Sequence, residues 1–172
     1  MAIFYWGFKD YLKLTVSPDN PLEVHVVGKK WFWTFEYPQD GIKSINELVV
    51  PVGEPVKLVM TSDDVLHSLF IPNFRVKRDL VPNRYSNIWF EANKTGNYLA
   101  LCTEYCGDAH SNMYADIKVV TRSDYENWKK SSNSSDDLTL PKLGEKLYKS
   151  KGCNACHSID GIANNSIPNN IQ

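Results

Sequence analysis

The sequence predicts an all-β fold, a sandwich or barrel of short strands, with a small helical segment after it. Three observations carry this. Between Val16 and Val120 the chain is a succession of β-branched and aromatic runs, with Pro, Gly and Asn in the gaps between them. No strand–helix alternation of the kind that builds a parallel sheet interrupts the series. The pattern then changes at Ser123, where polar and helix-forming residues take over.

Taken in order, residues 1–14 hold Ile3, Phe4, Tyr5, Trp6, Phe8, Tyr11 and Leu12. That is too aromatic for a free tail and too short to span a bilayer, and the basic start and cleavage site of a signal peptide are missing. Trp and Tyr concentrate at membrane–water interfaces. The segment therefore reads either as the exit of a membrane helix or as an ordinary amphipathic starter helix. Residues 15–122 carry the strand signals. Leu22–Val27 alternates, and Trp31-Phe32-Trp33-Thr34-Phe35-Glu36-Tyr37 runs into Pro38 and a Gln-Asp-Gly turn. Leu48–Val50, Val56–Met60, Ile88–Phe90, Tyr98–Leu101 and Met113–Val120 follow. Ser123-Asp124-Tyr125-Glu126 has the form of a capping box and starts a helix over residues 123–130. Residues 131–141 are a polar linker with little to bury. Residues 142–172 open with Leu143, Leu147 and Tyr148 at helical spacing, stopped by Gly152.

Composition narrows the function. Hydrophobic residues make up 42% of the 172, which suits a packed domain rather than a disordered chain. A formal net charge of −1 argues against a nucleic-acid binder, which would show a basic face or run. No run approaches the roughly 18 apolar residues of a membrane span. The four cysteines fall as two close pairs, Cys102/Cys106 and Cys153/Cys156. A disulfide scaffold would be denser and more dispersed, so the pairs point to metal or cofactor chemistry.

The first pair lies in Cys102-Thr-Glu104-Tyr-Cys106-Gly-Asp-Ala-His110-Ser-Asn-Met113. Two thiols, an imidazole and a thioether within one short segment are soft ligands suited to copper, or to zinc and iron–sulfur clusters. A Met ligand speaks against structural zinc, which takes Cys, His and carboxylate. The cluster begins where one predicted strand ends and closes where the next begins, so a rigid scaffold can hold it. A buried disulfide or redox pair is the plainer reading of Cys-x₃-Cys alone. A further ligand is needed, and His67, between a strand and Pro72, is the best candidate. His25 lies mid-strand and reads as a satisfied strand residue.

These residues resemble the dinuclear copper (CuA) domain of cytochrome c oxidase subunit II. The resemblance rests on Cys102-x-Glu104-x-Cys106-Gly-x-x-His110-x-x-Met113, on Asp64-Val65-Leu66-His67-Ser68, on Lys77-Arg78-Asp79-Leu80-Val81-Pro82-Asn83-Arg84 and on the aromatic run Trp31–Tyr37. It covers roughly residues 1 to 130. It implies a cupredoxin-like Greek-key barrel, with Cys102 and Cys106 bridging two copper ions. His67 and Met113 would complete one copper, and His110 with the Glu104 carbonyl the other. The Glu104 side chain would help hold Mg²⁺ shared with subunit I, and Trp31 would be where electrons from cytochrome c enter. Arg75, Lys77, Arg78, Asp79 and Arg84, otherwise solvated surface charges, would lie near the face that meets subunit I. The family places this domain on the periplasmic, outer side of the cell membrane and anchors it by two membrane helices, so residues 1–14 would be the exit from the second. Two bridging thiolates spread a one-electron change over two metals, which keeps structural reorganisation small.

The second pair, Cys153-Asn154-Ala155-Cys156-His157, matches the haem c attachment pattern, with both thiols bonded to the haem vinyls and His157 as the proximal ligand. Some oxidases carry such a cytochrome fused to subunit II. Fifteen residues follow His157 and none is Met, so 142–172 is expected to be a truncated cytochrome c start, loosely packed after about residue 160. The expected function is an electron-transfer subunit of a haem–copper terminal oxidase, an oxidoreductase complex whose oxygen-reducing site lies outside this chain. The alternatives are the copper domain of a nitrous-oxide-reductase-like protein and a copper chaperone. Glu104 and the Trp-x-Trp-x-Phe-x-Tyr run favour the oxidase. A chaperone would show thioredoxin-like strand–helix alternation.

Overall fold

The computed structural model describes residues 1–133 together with residues 141, 144, 145 and 148. The haem-attachment motif Cys153–His157, and with it the expected cytochrome start, lies outside the described residues. Helix α1 spans Ala2–Thr15 and buries none of its side chains, so Phe4, Trp6, Phe8 and Tyr11 face outward. No described helix is long and apolar enough to cross a membrane.

Ten strands follow among the described residues: β1 Leu22–Lys29, β2 Phe32–Tyr37, β3 Ile42–Ile45, β4 Glu47–Pro51, β5 Pro55–Ser62, β6 His67–Ile71, β7 Val76–Leu80, β8 Ser86–Glu91, β9 Gly96–Cys102 and β10 Tyr114–Val120. They form two five-stranded sheets, ordered β3-β2-β1-β5-β8 and β4-β10-β9-β6-β7. Alternating side chains point inward, as a half-buried strand requires. Val24 and Val26 on β1, Trp33 and Phe35 on β2, Leu58 and Met60 on β5 and Ile117 on β10 are fully buried between the sheets. Each such side chain contributes about 1.5–3 kcal/mol of burial free energy. The result is a cupredoxin-like Greek-key β-sandwich.

The sheets are mixed rather than purely antiparallel. Strands β1 and β5 run parallel with Val24 opposite Leu58, and β4 and β10 run parallel with Val49 opposite Lys118. These pairs come from crossovers between the sheets, which a search for strand–helix alternation does not detect. Three strands have no counterpart in the sequence reading. Strand β7 is mostly charged, because it is an edge whose residues Lys77, Arg78 and Asp79 face solvent. Strand β6 opens with the polar pair His67 and Ser68, both fully buried, which breaks the expected hydrophobic run. Strand β3 is four residues long.

The helix expected over 123–130 is α2, Arg122–Asn133, so the first residues assigned to the linker are helical. Its cap is Thr121 rather than Ser123: the Asp124 amide donates to Thr121 Oγ1 at 3.2 Å, and that hydroxyl donates to the Asp124 carboxylate at 2.7 Å. On α2, Tyr125 is buried and Trp128 packs edge-on against Tyr37 of β2, with ring centres 5.0 Å apart. The Tyr37 hydroxyl is itself buried, donating to the Val49 carbonyl at 2.9 Å and accepting from the Val49 amide at 2.8 Å. This joins β2 of one sheet to the edge strand β4 of the other.

Candidate metal centre

Strand β9 ends at Cys102, and the loop it opens is closed at its base by the Cys102 amide, which donates to the Met113 carbonyl at 3.0 Å. A second bond, from the Thr103 amide to the Ser68 carbonyl at 2.9 Å, ties the loop to β6. Within the loop, Gly107 has φ +119°, a conformation that favours glycine, and the Trp31 indole lies against it. A Cβ there would meet the indole at 3.2 Å. The Trp31 Nε1–H donates to the Cys106 carbonyl at 3.3 Å. Trp31 precedes β2 rather than belonging to it.

The donors meet around two sulfurs. Cys102 and Cys106 are both free and buried, with Sγ atoms 3.8 Å apart. His67 presents Nδ1 to Cys102 Sγ at 3.9 Å, and His110 presents Nδ1 to Cys106 Sγ at 3.5 Å. The Met113 thioether lies 3.8 Å from Cys106 Sγ, and the Glu104 carbonyl 3.3 Å from Cys102 Sγ. His67, Cys102 and Cys106 offer ligand atoms all within 4.8 Å of one another. Every residue of the sequence-predicted cluster is therefore gathered at one place. His25 stands apart, bonded to Glu23 at 3.1 Å on an exposed strand face.

The donor set fits a soft metal. Two thiolates held about 2.3 Å from one ion at tetrahedral angles stand about 3.8 Å apart, as the two sulfurs do here and far from the roughly 2.05 Å of a disulfide. An imidazole at each sulfur, with one thioether, suits copper better than zinc.

Electrostatics ready one thiol. Burial opposes ionisation of Cys102, but hydrogen bonds from His67 and from the Ser68 and Glu104 backbones outweigh it and bring the thiol down to about 6. Cys106 is pushed up to about 12 by burial and by the neighbouring Cys102 charge. His67 is raised above its ordinary value: burial disfavours its charge, but Cys102 and Asp64 more than compensate. The Asp64 carboxylate accepts from His67 Nε2 at 2.8 Å, from the Lys30 amide at 2.8 Å and from the Val65 amide at 2.6 Å. It thus couples the His67 ring to the turn that carries Trp31. In the sequence Asp64 and Ser68 are only flanking residues of His67, with no role of their own. Only folding brings them against His67 and Cys102.

The model of the cytochrome c oxidase subunit II periplasmic domain matches residues 41–120. Among solved structures, the periplasmic domain of subunit II of cytochrome oxidase from Bradyrhizobium japonicum superposes with a TM-score of 0.66 at 31% identity, over 68% of this chain and 96% of that one. The chain belongs to the cytochrome c oxidase subunit II family. The subunit 2 of Synechocystis is 39% identical over 127 residues, which is 72% of this chain and 38% of the relative. That of Thermostichus vulcanus is 36% identical over 140 residues, 81% of this chain and 42% of the relative. The chain therefore spans well under half the length of these subunit II relatives. A further subunit II structure, 30% identical with a TM-score of 0.62, is a mixed disulfide intermediate with a thioredoxin-like protein.

Proposed function

We propose that this chain carries the dinuclear copper centre of a haem–copper oxidase and serves as the subunit that receives electrons from cytochrome c. One observation carries the reading: two reduced thiols 3.8 Å apart, each with an imidazole Nδ1 beside it and with Met113 Sδ at the second sulfur. Cys102 and Cys106 would hold both ions, His67 and Met113 would complete one, and His110 with the Glu104 carbonyl the other. A copper pair bound there would supply one-electron chemistry with little change in structure.

The protein's own groups do the rest. Burial of Cys102, Cys106, His67 and Met113 excludes water from the sulfurs. The Asp64 carboxylate holds a proton at His67 Nε2, which leaves Nδ1 free as a ligand. The Cys102 and Cys106 thiol protons must leave when a metal enters, and the depressed Cys102 gives its proton up first. Trp31, half-buried and bonded to the Cys106 carbonyl, offers a short connection from the surface to the sulfur pair. A related subunit II forms a mixed disulfide intermediate with a thioredoxin-like protein, which supports thiol–disulfide exchange at the Cys102/Cys106 pair.

In the assembled oxidase, electrons would pass from this domain to a haem in subunit I, with the Glu104 side chain contributing to Mg²⁺ at that interface. The domain would sit on the periplasmic side of the membrane, where the exposed aromatic face of α1 suits the membrane boundary. Residues Cys153, Cys156 and His157 carry the haem c attachment pattern, and the cytochrome c that donates electrons would be fused or separate. The two-sheet sandwich does not fit the thioredoxin-fold chaperone. The test is copper reconstitution with metal analysis and electron paramagnetic resonance. Two coppers per chain and a hyperfine pattern from an electron shared by two nuclei are expected. One copper per chain, or a single-copper hyperfine pattern, overturns the assignment.

A further inference from the structure

We propose that Gly28 is a positioning residue for the metal centre: the side chain it lacks is the space that holds the His67 ring with Nδ1 directed at Cys102. This rests on the copper reading of the site, but its steric basis stands without metal.

Strand β1 sends Val24, Val26 and Gly28 inward in turn. The first two fill the core with fully buried side chains, and the third fills it with nothing of its own. Conformation does not explain the glycine. Gly28 has no positive φ and sits in regular ladders, opposite Trp33 of β2 and Ser62 of β5. Space does explain it. A Cβ on Gly28 would lie 3.0 Å from His67 Cδ2, 3.3 Å from His67 Cγ and 3.3 Å from Trp33 Cζ3. His67 belongs to the opposite sheet, so its ring crosses the sandwich to occupy the gap left in the inward row of β1.

The ring has no direction in which to retreat. Its Nε2 is bonded to Asp64 at 2.8 Å, its Nδ1 faces Cys102 Sγ at 3.9 Å, and the Trp33 indole stands edge-on with ring centres 6.0 Å apart. It is fully buried. Strand β1 is hydrogen-bonded on both sides, and the Gly28 carbonyl also accepts from the Asp63 amide at 3.1 Å. With the strand fixed, an added methyl group pushes the ring a few tenths of an ångström against these contacts and changes its angle to Cys102. In the copper reading His67 serves one ion only, so a displaced ring makes the two ions unequal.

The experiment compares wild type, Gly28→Ala and Val24→Ala in two states. In metal-free protein with ¹⁵N-labelled histidine, the His67 ring resonances shift in Gly28→Ala while those of His25 stay in place, and Val24→Ala moves neither. In copper-loaded protein, Gly28→Ala shows a hyperfine pattern more localised on one nucleus and a shifted reduction potential. Val24→Ala lowers the melting temperature but leaves the spectrum unchanged. If Gly28→Ala does not fold, Trp33→Phe removes the other wall of the slot and is expected to shift the same His67 resonances. His67 resonances that superimpose on wild type in the folded variant overturn the steric claim. Shifted resonances with an unchanged copper spectrum and potential overturn the positioning role. A wild type that never yields a shared-electron spectrum overturns the copper reading instead, and the metal-free resonances still decide whether Gly28 holds the ring.

Discussion

Replacing Asp64 by Ala removes the acceptor of His67 Nε2 and of the Lys30 and Val65 amides, with a longer bond from Ser62 Oγ, and their surroundings determine what this costs. The Lys30 and Val65 amides lie where the chain reaches solvent and can take water in exchange. His67 Nε2 cannot, because its ring is fully buried. A buried donor left without a partner costs about 1–3 kcal/mol, so the metal-free protein should lose about 2 kcal/mol, nearly all of it from His67. That is a large share of the roughly 5–15 kcal/mol of a typical domain. Removing such a partner of a ligating histidine commonly costs a further 10–100-fold in metal affinity, roughly 1.4–2.7 kcal/mol. Urea unfolding of the metal-free protein measures the first quantity, and competition with a chelator of known copper affinity measures the second. Asp64→Asn keeps an acceptor and should recover much of both. If Asp64→Ala unfolds at the wild-type urea concentration and binds copper as tightly, the His67 ring is held by its packing alone and the hydrogen bond has no positioning role.

Tyr37→Phe removes the hydroxyl that serves both polar groups of Val49, and a loss of about 2–4 kcal/mol is expected in urea unfolding; a change under about 1 kcal/mol would show that water replaces it. Met113→Leu should leave two coppers bound but shift the reduction potential, read by spectroelectrochemistry, and loss of both ions would make the thioether a structural ligand. Trp31→Phe should keep copper content and spectrum while slowing reduction by cytochrome c in stopped flow; an unchanged rate would move the place where electrons enter elsewhere. Glu23 is held below its ordinary carboxylate value by hydrogen bonds to Lys57 and His25. Its contribution to stability is therefore present above pH about 4.5 and lost as pH falls through the lowered value. Melting curves of Glu23→Gln should show a shallower acid dependence than wild type between pH 3 and 5 (approximate limits from the same carboxylate range), and identical slopes would refute this.

The strands easiest to read were those whose burial follows the pleat. Leu22–Val27 and Val56–Met60 alternate in sequence and lie inside the longer β1 and β5. Strands β6 and β7 escaped because each departs from that pattern for a physical reason. His67 and Ser68 are polar yet fully buried, and both are satisfied: His67 by Asp64, and Ser68 through its hydroxyl donated to Asp79 at 2.7 Å. Strand β7 lies at an edge, where charge is tolerated and discourages pairing with another sheet. The parallel pairs were invisible for a different reason. A crossover between two sheets needs no helix, so strand–helix alternation is no marker for these pairs.

Cys102, Glu104, Cys106, His110 and Met113 lie within one loop closed by adjacent antiparallel strands, so their spacing alone already confined them to one place. The chemistry of this donor set is therefore determined by sequence, because short-range chain connectivity limits how far such donors can separate. The remaining parts depended on the fold. His67 stands thirty-five residues before Cys102, Gly28 comes from β1 of the opposite sheet, Trp31 from the turn that joins β1 to β2, and Asp64 reaches the ring by a turn between strands. Nothing local specifies these meetings. They follow from how two sheets stack face to face, and that stacking sets the His67 ring of β6 against the space where β1 lacks a side chain.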